Sequence, residues 1–142
     1  TVQAEVAARM TARPNDMSLL ALSVQLFGEP KIVMRLDRSA FYPQPEVESA
    51  VVAITPHRQP LYADLRTLFT LARAGFGQRR KQLRNTLSGN LGLSPQRAEV
   101  LLQASGVDPT RRAETLSVGE WIALSEQYKA MKEVHVQPAR AR

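Results

Sequence analysis

The sequence predicts an α+β fold in which a strand-containing first part is followed by an all-helical second part. Segments 31–36 and 47–54 are short and rich in β-branched residues, as strands are. From Leu61 onward, apolar residues recur every three or four positions, as they do on one face of a helix. Residues 55–60 form a polar, proline-bounded link between the two parts. We therefore predict units at residues 1–58 and 59–133.

The first unit is predicted to begin with the end of a strand, followed by two helices. Residues 2–13 fit the end of a strand that runs into a short helix, which stops at the breaker Arg-Pro-Asn-Asp at 13–16. Ser18 is placed to cap a second helix that ends near Gly28. The two predicted strands follow, separated by a proline-rich loop.

The second unit is predicted to contain one long helix and several shorter ones. Gly75 and Gly77 are expected to kink or end the long helix. If it runs through, Arg73, Arg80 and Arg84 share one face. Residues 85–92 are predicted to be a loop.

The later helices carry recognisable start signals. Ser94-Pro95 is a favourable cap and first-turn pair, and Ser117 and Glu120 have capping-box spacing. Residues 134–142 have few apolar side chains to bury, so we predict a disordered tail there.

Composition excludes several classes of protein. The 142 residues are 44% hydrophobic and include no Cys, which excludes disulfides, a thiolate nucleophile and a Cys-ligated zinc site. No apolar run approaches the roughly 20 residues that span a bilayer, so no membrane association is predicted. The absence of Cys fits a reducing compartment, and we predict a cytoplasmic location.

Positive charge is concentrated in the second unit. Residues 1–60 carry six basic and six acidic side chains, so the whole net charge of +6 lies after residue 60. No acid occurs between Asp64 and Glu99, whereas seven Lys or Arg residues do. A cluster of one sign is typical of a surface that binds a polyanion, with a solvated helix face as the simpler alternative.

Two segments carry the strongest functional signals. Gly-Gln-Arg-Arg-Lys-Gln-Leu-Arg-Asn at residues 77–85 places four cations within six positions, a density suited to phosphate contacts. Phe-Tyr-Pro-Gln-Pro at residues 41–45 restricts the backbone around two aromatic rings. A fixed ring suits stacking on an unpaired base. On packing grounds alone, a core position for Phe41 is favoured.

Other motifs are too incomplete to indicate a site. Gly75-Phe76-Gly77 lacks the third glycine and the preceding strand of a dinucleotide-binding loop. His57 and His135 stand apart from other ligand types, so no metal site is predicted. Glu46 and Glu48 alternate on a predicted strand, where a solvated face is favoured over an acid/base pair.

Taken in order, several segments resemble the ribosomal RNA adenine dimethyltransferase family. They are Phe-Tyr-Pro-Gln-Pro-Glu-Val-Glu-Ser-Ala-Val-Val at 41–52, Phe-Gly-Gln-Arg-Arg-Lys-Gln-Leu-Arg-Asn at 76–85 and Arg-Ala-Glu-Thr-Leu-Ser at 112–117. Val-Gln-Ala-Glu-Val-Ala-Ala-Arg at 2–9 and Leu-Ser-Val-Gln at 22–25 also match in the right order. The resemblance covers essentially the whole chain except its tail.

The resemblance implies an S-adenosylmethionine-dependent enzyme that dimethylates two adjacent adenines near the 3′ end of small-subunit rRNA. It also implies a Rossmann-like catalytic domain followed by a small helical domain. The family's cofactor loop, ribose-binding acid and Asn-Leu-Pro-Tyr-like motif lie upstream of the position matching Val2. We therefore expect only the C-terminal half here: the terminal strands of the methyltransferase sheet plus the helical domain, without a cofactor site or catalytic activity of its own.

The resemblance also assigns roles to individual residues. Phe41 matches the aromatic thought to pack against the target base, and Pro43 and Pro45 hold its loop. Positions associated with rRNA binding are matched by Arg79, Arg80 and Lys81, and less closely by Arg84 and Arg112; the predicted basic face adds Arg73.

The expected partner is small-subunit rRNA or the immature small ribosomal subunit. We expect the intact protein to be monomeric, and exposed strand edges to favour self-association of this chain. One alternative is a nonenzymatic nucleic-acid-binding, ribosome-assembly or transcription module of the same ancestry. A narrower alternative is methylation of a different rRNA, as in the related antibiotic-resistance enzymes.

Overall fold

The computed structural model describes the backbone of residues 1–140 and the side chains of residues 1–134. It separates into two compact units, Thr1–Ala63 and Asp64–Arg142, with the division five residues beyond the predicted one. The elements are a mixture of strands and helices, as the sequence predicts.

The first unit contains a three-stranded antiparallel sheet and two helices. Its elements are β1 (Val2–Gln3), α1 (Ala4–Met10), α2 (Leu19–Gln25), β2 (Gly28–Leu36) and β3 (Ser49–Pro56). The strand order is β1-β3-β2. β2 pairs with β3 from Gly28 opposite Pro56 to Leu36 opposite Ser49, with a bulge between Ile32 and Met34.

The strands begin and end differently from the prediction. β2 starts three residues early and contains Pro30, which has no N–H to donate to a sheet. Proline is tolerated there because β2 lies at one edge of the described sheet. β3 starts two residues late and runs into the predicted link.

The helices of this unit pack through small and branched apolar side chains. Ser18 caps α2 as predicted, accepting a hydrogen bond from Ala21 N at 3.1 Å. Gln25 ties α2 to the end of α1, because its Nε2 donates to the carbonyl oxygens of Met10 and Ala12 at 3.1 and 2.8 Å. Leu22 is fully buried between these elements.

In the second unit, every described element is helical. It contains α3 (Leu65–Phe76), α4 (Leu83–Leu91), α5 (Pro95–Ala104), a 3₁₀ turn (Ala113–Thr115) and α6 (Val118–Arg140). α6 continues past Val134 to Arg140, where the sequence predicts a disordered tail; residues 141 and 142 lie outside the described residues.

Trp121 fills the centre of this helical unit. Its side chain is 0% exposed, and its ring centroid lies 5.3 Å from that of Phe76. Gly75 lets the indole approach α3, since a Cβ at position 75 would lie 2.7 Å from Trp121 Cη2. Leu68, Leu83 and Leu124 are also fully buried.

Two predicted start signals are present in this unit. Ser94 Oγ accepts from Arg97 N at 3.2 Å at the start of α5, with Pro95 as its first residue. Ser117 and Glu120 form a reciprocal capping box at the start of α6, with bonds of 3.0 and 3.1 Å. The first helix, by contrast, begins at Leu65 rather than Leu61, because Asp64 caps it through Thr67 N at 3.2 Å.

Candidate nucleic-acid interface

The densest group of cations lies in a turn between two helices. α3 ends at Phe76 and α4 begins at Leu83, so Arg79, Arg80 and Lys81 occupy the connecting residues 77–82, which we call the basic turn. All three side chains are exposed. α3 ends where Gly75 and Gly77 are expected to kink or end it, so the helix does not run through and Arg73, Arg80 and Arg84 do not share one helix face.

The residues after the basic turn form a helix rather than the predicted loop at 85–92. Leu83 and Leu87 are fully buried, four positions apart, and Thr86 is buried between them with its hydroxyl donating to Leu83 O at 3.2 Å. Burial of this face outweighs the turn-forming character of the Asn, Ser and Gly residues nearby. The chain turns only at Gly92, which has a φ of 69°.

A second segment is hydrogen-bonded to the start of α4. The backbone N–H of Leu83 donates to Arg111 O at 2.8 Å, and that of Arg84 donates to Pro109 O at 3.2 Å. The first N–H groups of a helix have no partner within it, so the 109–111 carbonyls satisfy two of them. This pairing places the residues just before exposed Arg112 against the start of α4, next to the basic turn, although Arg112 lies 31 positions after Lys81.

Arg111 holds this second segment in place. Its guanidinium binds the Glu120 carboxylate with both terminal nitrogens and also donates to Thr115 O at 2.6 Å and Thr115 Oγ1 at 3.1 Å. The hydrogen bond from Arg111 is the main cause that lowers the pKa of Glu120 below its ordinary value. Arg111 thus has a structural role, which no local sequence signal indicated, because its partner lies nine positions away.

The predicted cations differ in whether an acidic side chain pairs with them. Arg84 forms an ion pair with Glu99 at 3.6 Å, so part of its charge is neutralised. Arg112 and the basic turn show no ion pair within the described residues. Arg73 is also exposed and shows no ion pair there, so Arg73, Arg112 and the basic turn are the cations of the predicted set best placed to meet phosphates.

Arg73 lies on a polar concavity beside the basic turn. The concavity has a volume of about 470 Å³ and is lined in part by Arg73, Ala74, Gly77, Gln78, Asn90 and Leu91. Asn90 Nδ2 donates to Ala74 O at 2.8 Å, which satisfies a carbonyl in the last turn of α3. Gln78 lies within the basic segment 77–85, but the sequence predicts no role for its amide, and Asn90 belongs to none of the predicted functional segments.

The proline loop belongs to the first unit. Phe41 is 37% exposed and Tyr42 is fully exposed, so the core position favoured for Phe41 on packing grounds is wrong. A 3₁₀ turn at Arg38–Ala40 precedes Phe41 and is capped by Asp37, which accepts from Ser39 N at 3.0 Å. Arg38 Nη1 donates to Glu46 O at 3.3 Å across the loop.

The two prolines of the loop differ in peptide geometry and in exposure. The Tyr42–Pro43 peptide bond is cis, Pro43 is exposed and Pro45 is half-buried. Phe41 is thus exposed at the surface on a loop that the Arg38–Glu46 hydrogen bond bridges, an arrangement compatible with stacking on a flat ligand.

The described residues form neither a metal-binding cluster nor a membrane-spanning helix. No group of three or more His, Cys, Asp or Glu side chains there is placed to hold a metal ion. No helix in the described part of the chain is long and apolar enough to cross a membrane.

Comparison with solved structures supports the fold. A dimethyladenosine transferase from Plasmodium falciparum superposes with a TM-score of 0.74 at 21% identity, covering 92% of this chain and 56% of the other. The 23S rRNA methyltransferase ErmE superposes with a TM-score of 0.65 at 24% identity, covering 89% and 52%.

Sequence comparison finds relatives of higher identity. Proteins named ribosomal RNA small subunit methyltransferase A from Dehalococcoides mccartyi and Sphingopyxis alaskensis are each 46% identical, over 129 and 125 residues. These alignments cover 89% and 87% of this chain but 44% of each relative, so the chain spans less than half of their length. The model of the ribosomal RNA adenine dimethylase family matches residues 1–130. The chain therefore belongs to the ribosomal RNA adenine dimethylase family.

Proposed function

We propose that this chain supplies the rRNA-binding part of an adenine dimethyltransferase that acts on small-subunit rRNA. The observation that carries the proposal is the basic turn, an exposed group of three cations that hydrogen bonds through Leu83 and Arg84 bring beside Arg112. Such a surface meets phosphates and fixes the position of an RNA without reading its sequence.

The complete reaction in this proposal transfers methyl groups from S-adenosylmethionine to the exocyclic amines of two adjacent adenines near the 3′ end of the rRNA. Family membership and the names of the bacterial relatives support it. The cofactor supplies the methyl groups. We propose that this chain alone neither binds S-adenosylmethionine nor methylates RNA.

Within the same proposal, Phe41 packs against the target adenine. The ring is partly exposed on a loop held by Pro43 and Pro45 and closed by the Arg38–Glu46 contact. An aromatic face held in this way can stack on a base that has left its helix. Packing of this kind would orient the exocyclic amine without any proton transfer by Phe41.

Two titrations of the 142-residue chain test the proposal. The first measures binding of an RNA containing the 3′ region of small-subunit rRNA; we expect binding that weakens steeply with salt. The second is calorimetry with S-adenosylmethionine, for which we expect no stoichiometric heat. Absence of RNA binding at low salt would overturn the RNA-binding role, and stoichiometric cofactor binding would overturn the assignment of an inactive chain.

A further inference from the structure

The polar concavity between α3 and α4 combines two kinds of binding group. Arg73 contributes a guanidinium, which only donates hydrogen bonds, whereas Gln78 and Asn90 contribute amides, which both donate and accept. No acidic side chain belongs to its lining. A phosphate would use only the donors, whereas the edge of a nucleobase presents both donors and acceptors and can also use the two amide oxygens.

The amide of Asn90 is held in a defined position. One of its two N–H groups is used by Ala74 O at 2.8 Å, which leaves the other N–H and the carbonyl oxygen for a ligand. Gly77 permits this arrangement, because a Cβ there would lie 3.0 Å from Asn90 Nδ2 and 3.4 Å from Ala74 O. A pre-positioned amide recognises the edge of a nucleobase at low entropic cost.

The size and place of the concavity also fit a single nucleotide. Its volume of about 470 Å³ lies within the range of small-molecule sites, and half-buried Leu91 adds apolar surface at its edge. Gln78 directly precedes the cations of the basic turn. An RNA strand whose phosphates lie on that turn therefore has its next nucleotide within reach of the concavity.

We propose that the concavity binds one unpaired nucleotide of the bound RNA, with Arg73 at its phosphate and Gln78 and Asn90 at the edge of its base. This inference rests on the proposed RNA-binding function and adds a preference for unpaired over fully duplex RNA. The basic turn contributes affinity for either form, whereas the concavity contributes only where a base is free to enter.

The test compares two RNAs of equal length and charge, a blunt duplex and a duplex with a single-stranded overhang, by fluorescence anisotropy with the 142-residue chain. Q78A and N90A together are expected to weaken binding of the overhang RNA about five- to tenfold and to leave duplex binding unchanged. Because neither residue is charged, the salt dependence should not change. Q103A, at an exposed and uncharged position on α5, is the matched control.

Several outcomes separate the inference from the function on which it rests. Wild-type binding with no effect of Q78A and N90A on the overhang RNA would overturn the inference and leave the function standing. Failure of the wild type to bind either RNA would overturn both. If adenosine 5′-monophosphate alone competed as strongly as the overhang RNA, the site would belong to a free nucleotide and the inference would be wrong. Circular dichroism checks the fold, and Q78A alone retains the Asn90–Ala74 contact.

Discussion

Arg111 and Glu120 form a two-pronged ion pair, in which each terminal nitrogen of the guanidinium binds one carboxylate oxygen. The same carboxylate accepts the Ser117 N–H of the capping box at 3.0 Å. Glu120 therefore joins the start of α6 to the segment that carries Arg112. This contact gives the first prediction, which concerns acid stability.

We expect E120Q to lower the melting temperature at pH 7 by about 4 °C or more, the effect of losing roughly 1 kcal/mol in a domain of this size. The pKa of Glu120 is lowered by folding, so its contribution is present above the ordinary carboxyl pKa and is lost as pH falls through the lowered value. The difference in melting temperature between wild type and E120Q should therefore shrink below about pH 4. Thermal melts of both proteins from pH 3 to 7 measure it, with E126Q on α6 as control. A constant difference over this range would contradict the assignment.

The second prediction concerns the approach of α3 to Trp121. G75A places a methyl group 2.7 Å from Trp121 Cη2 and 3.1 Å from Leu83 Cδ2, and we expect it to destabilise the protein by about 1 to 3 kcal/mol. G89A is the control, because nothing lies within 4 Å of the added Cβ and alanine favours a helix by about 0.5 to 1 kcal/mol. Urea unfolding of both variants measures their free energies of unfolding. Equal stabilities would show that the helices separate easily at this contact.

The third prediction concerns salt dependence of RNA binding. Replacing Arg79, Arg80 and Lys81 by Ala should reduce the slope of log affinity against log salt by roughly 2 to 3, since each phosphate contact contributes about 0.7 to 0.9. The double variant K129A and K132A removes charge from α6 instead and should leave the slope nearly unchanged. A slope that drops equally in both proteins would mean that net charge alone drives binding.

The fourth prediction concerns the ion pair that occupies Arg84. E99Q removes the partner 3.6 Å from Arg84, and we expect RNA affinity to rise about two- to fivefold at low salt, as an exposed ion pair is worth roughly 0.5 to 1 kcal/mol. E126Q makes the same change of charge on α6. If both variants bind RNA equally tightly, Arg84 does not contact the RNA.

The fifth prediction concerns Phe41 in a protein that joins this chain to a cofactor-binding half. F41A should reduce adenine methylation about tenfold or more with little change in rRNA affinity, because stacking of a base on an aromatic ring is worth roughly 1 to 3 kcal/mol. Y42A is the neighbouring control, since Tyr42 is fully exposed. Single-turnover methylation and filter binding separate the two effects. Normal methylation by F41A would limit Phe41 to shaping its loop.

Local signals in the sequence predicted those parts of the fold that depend on neighbouring residues. The caps at Ser18, Ser94 and Ser117 each satisfy a backbone N–H three positions away, and all three are present. Gly75 and Gly77 likewise predicted that the long helix would kink or end, and α3 ends at Phe76 with Gly77 as its C-cap. Helix α4 could not be recognised in this way, because residues 85–92 carry turn-forming Asn, Ser and Gly and only the burial of Leu83 and Leu87 in the folded unit favours a helix there.

In the candidate site, too, the sequence predicted the features that depend on neighbouring residues and not those that depend on distant ones. Charge density alone identified Arg79, Arg80 and Lys81, because the signal lies within three consecutive residues. The link to Arg112 depends on backbone hydrogen bonds across 28 and 25 residues, from Leu83 to Arg111 and from Arg84 to Pro109. The pairing of Asn90 with Ala74 spans 16 residues, so no short motif contains it.

The backbone hydrogen bonds from Leu83 and Arg84 also determine when Arg112 and the basic turn come together as the chain folds. In a chain that has formed its separate helices but not yet closed the Leu83–Arg111 contact, Arg112 and the basic turn are independent charges on a loose polymer. Each can meet a phosphate, but they cannot meet neighbouring phosphates together. In the proposed RNA-binding role, simultaneous contact with neighbouring phosphates therefore requires the completed helical unit.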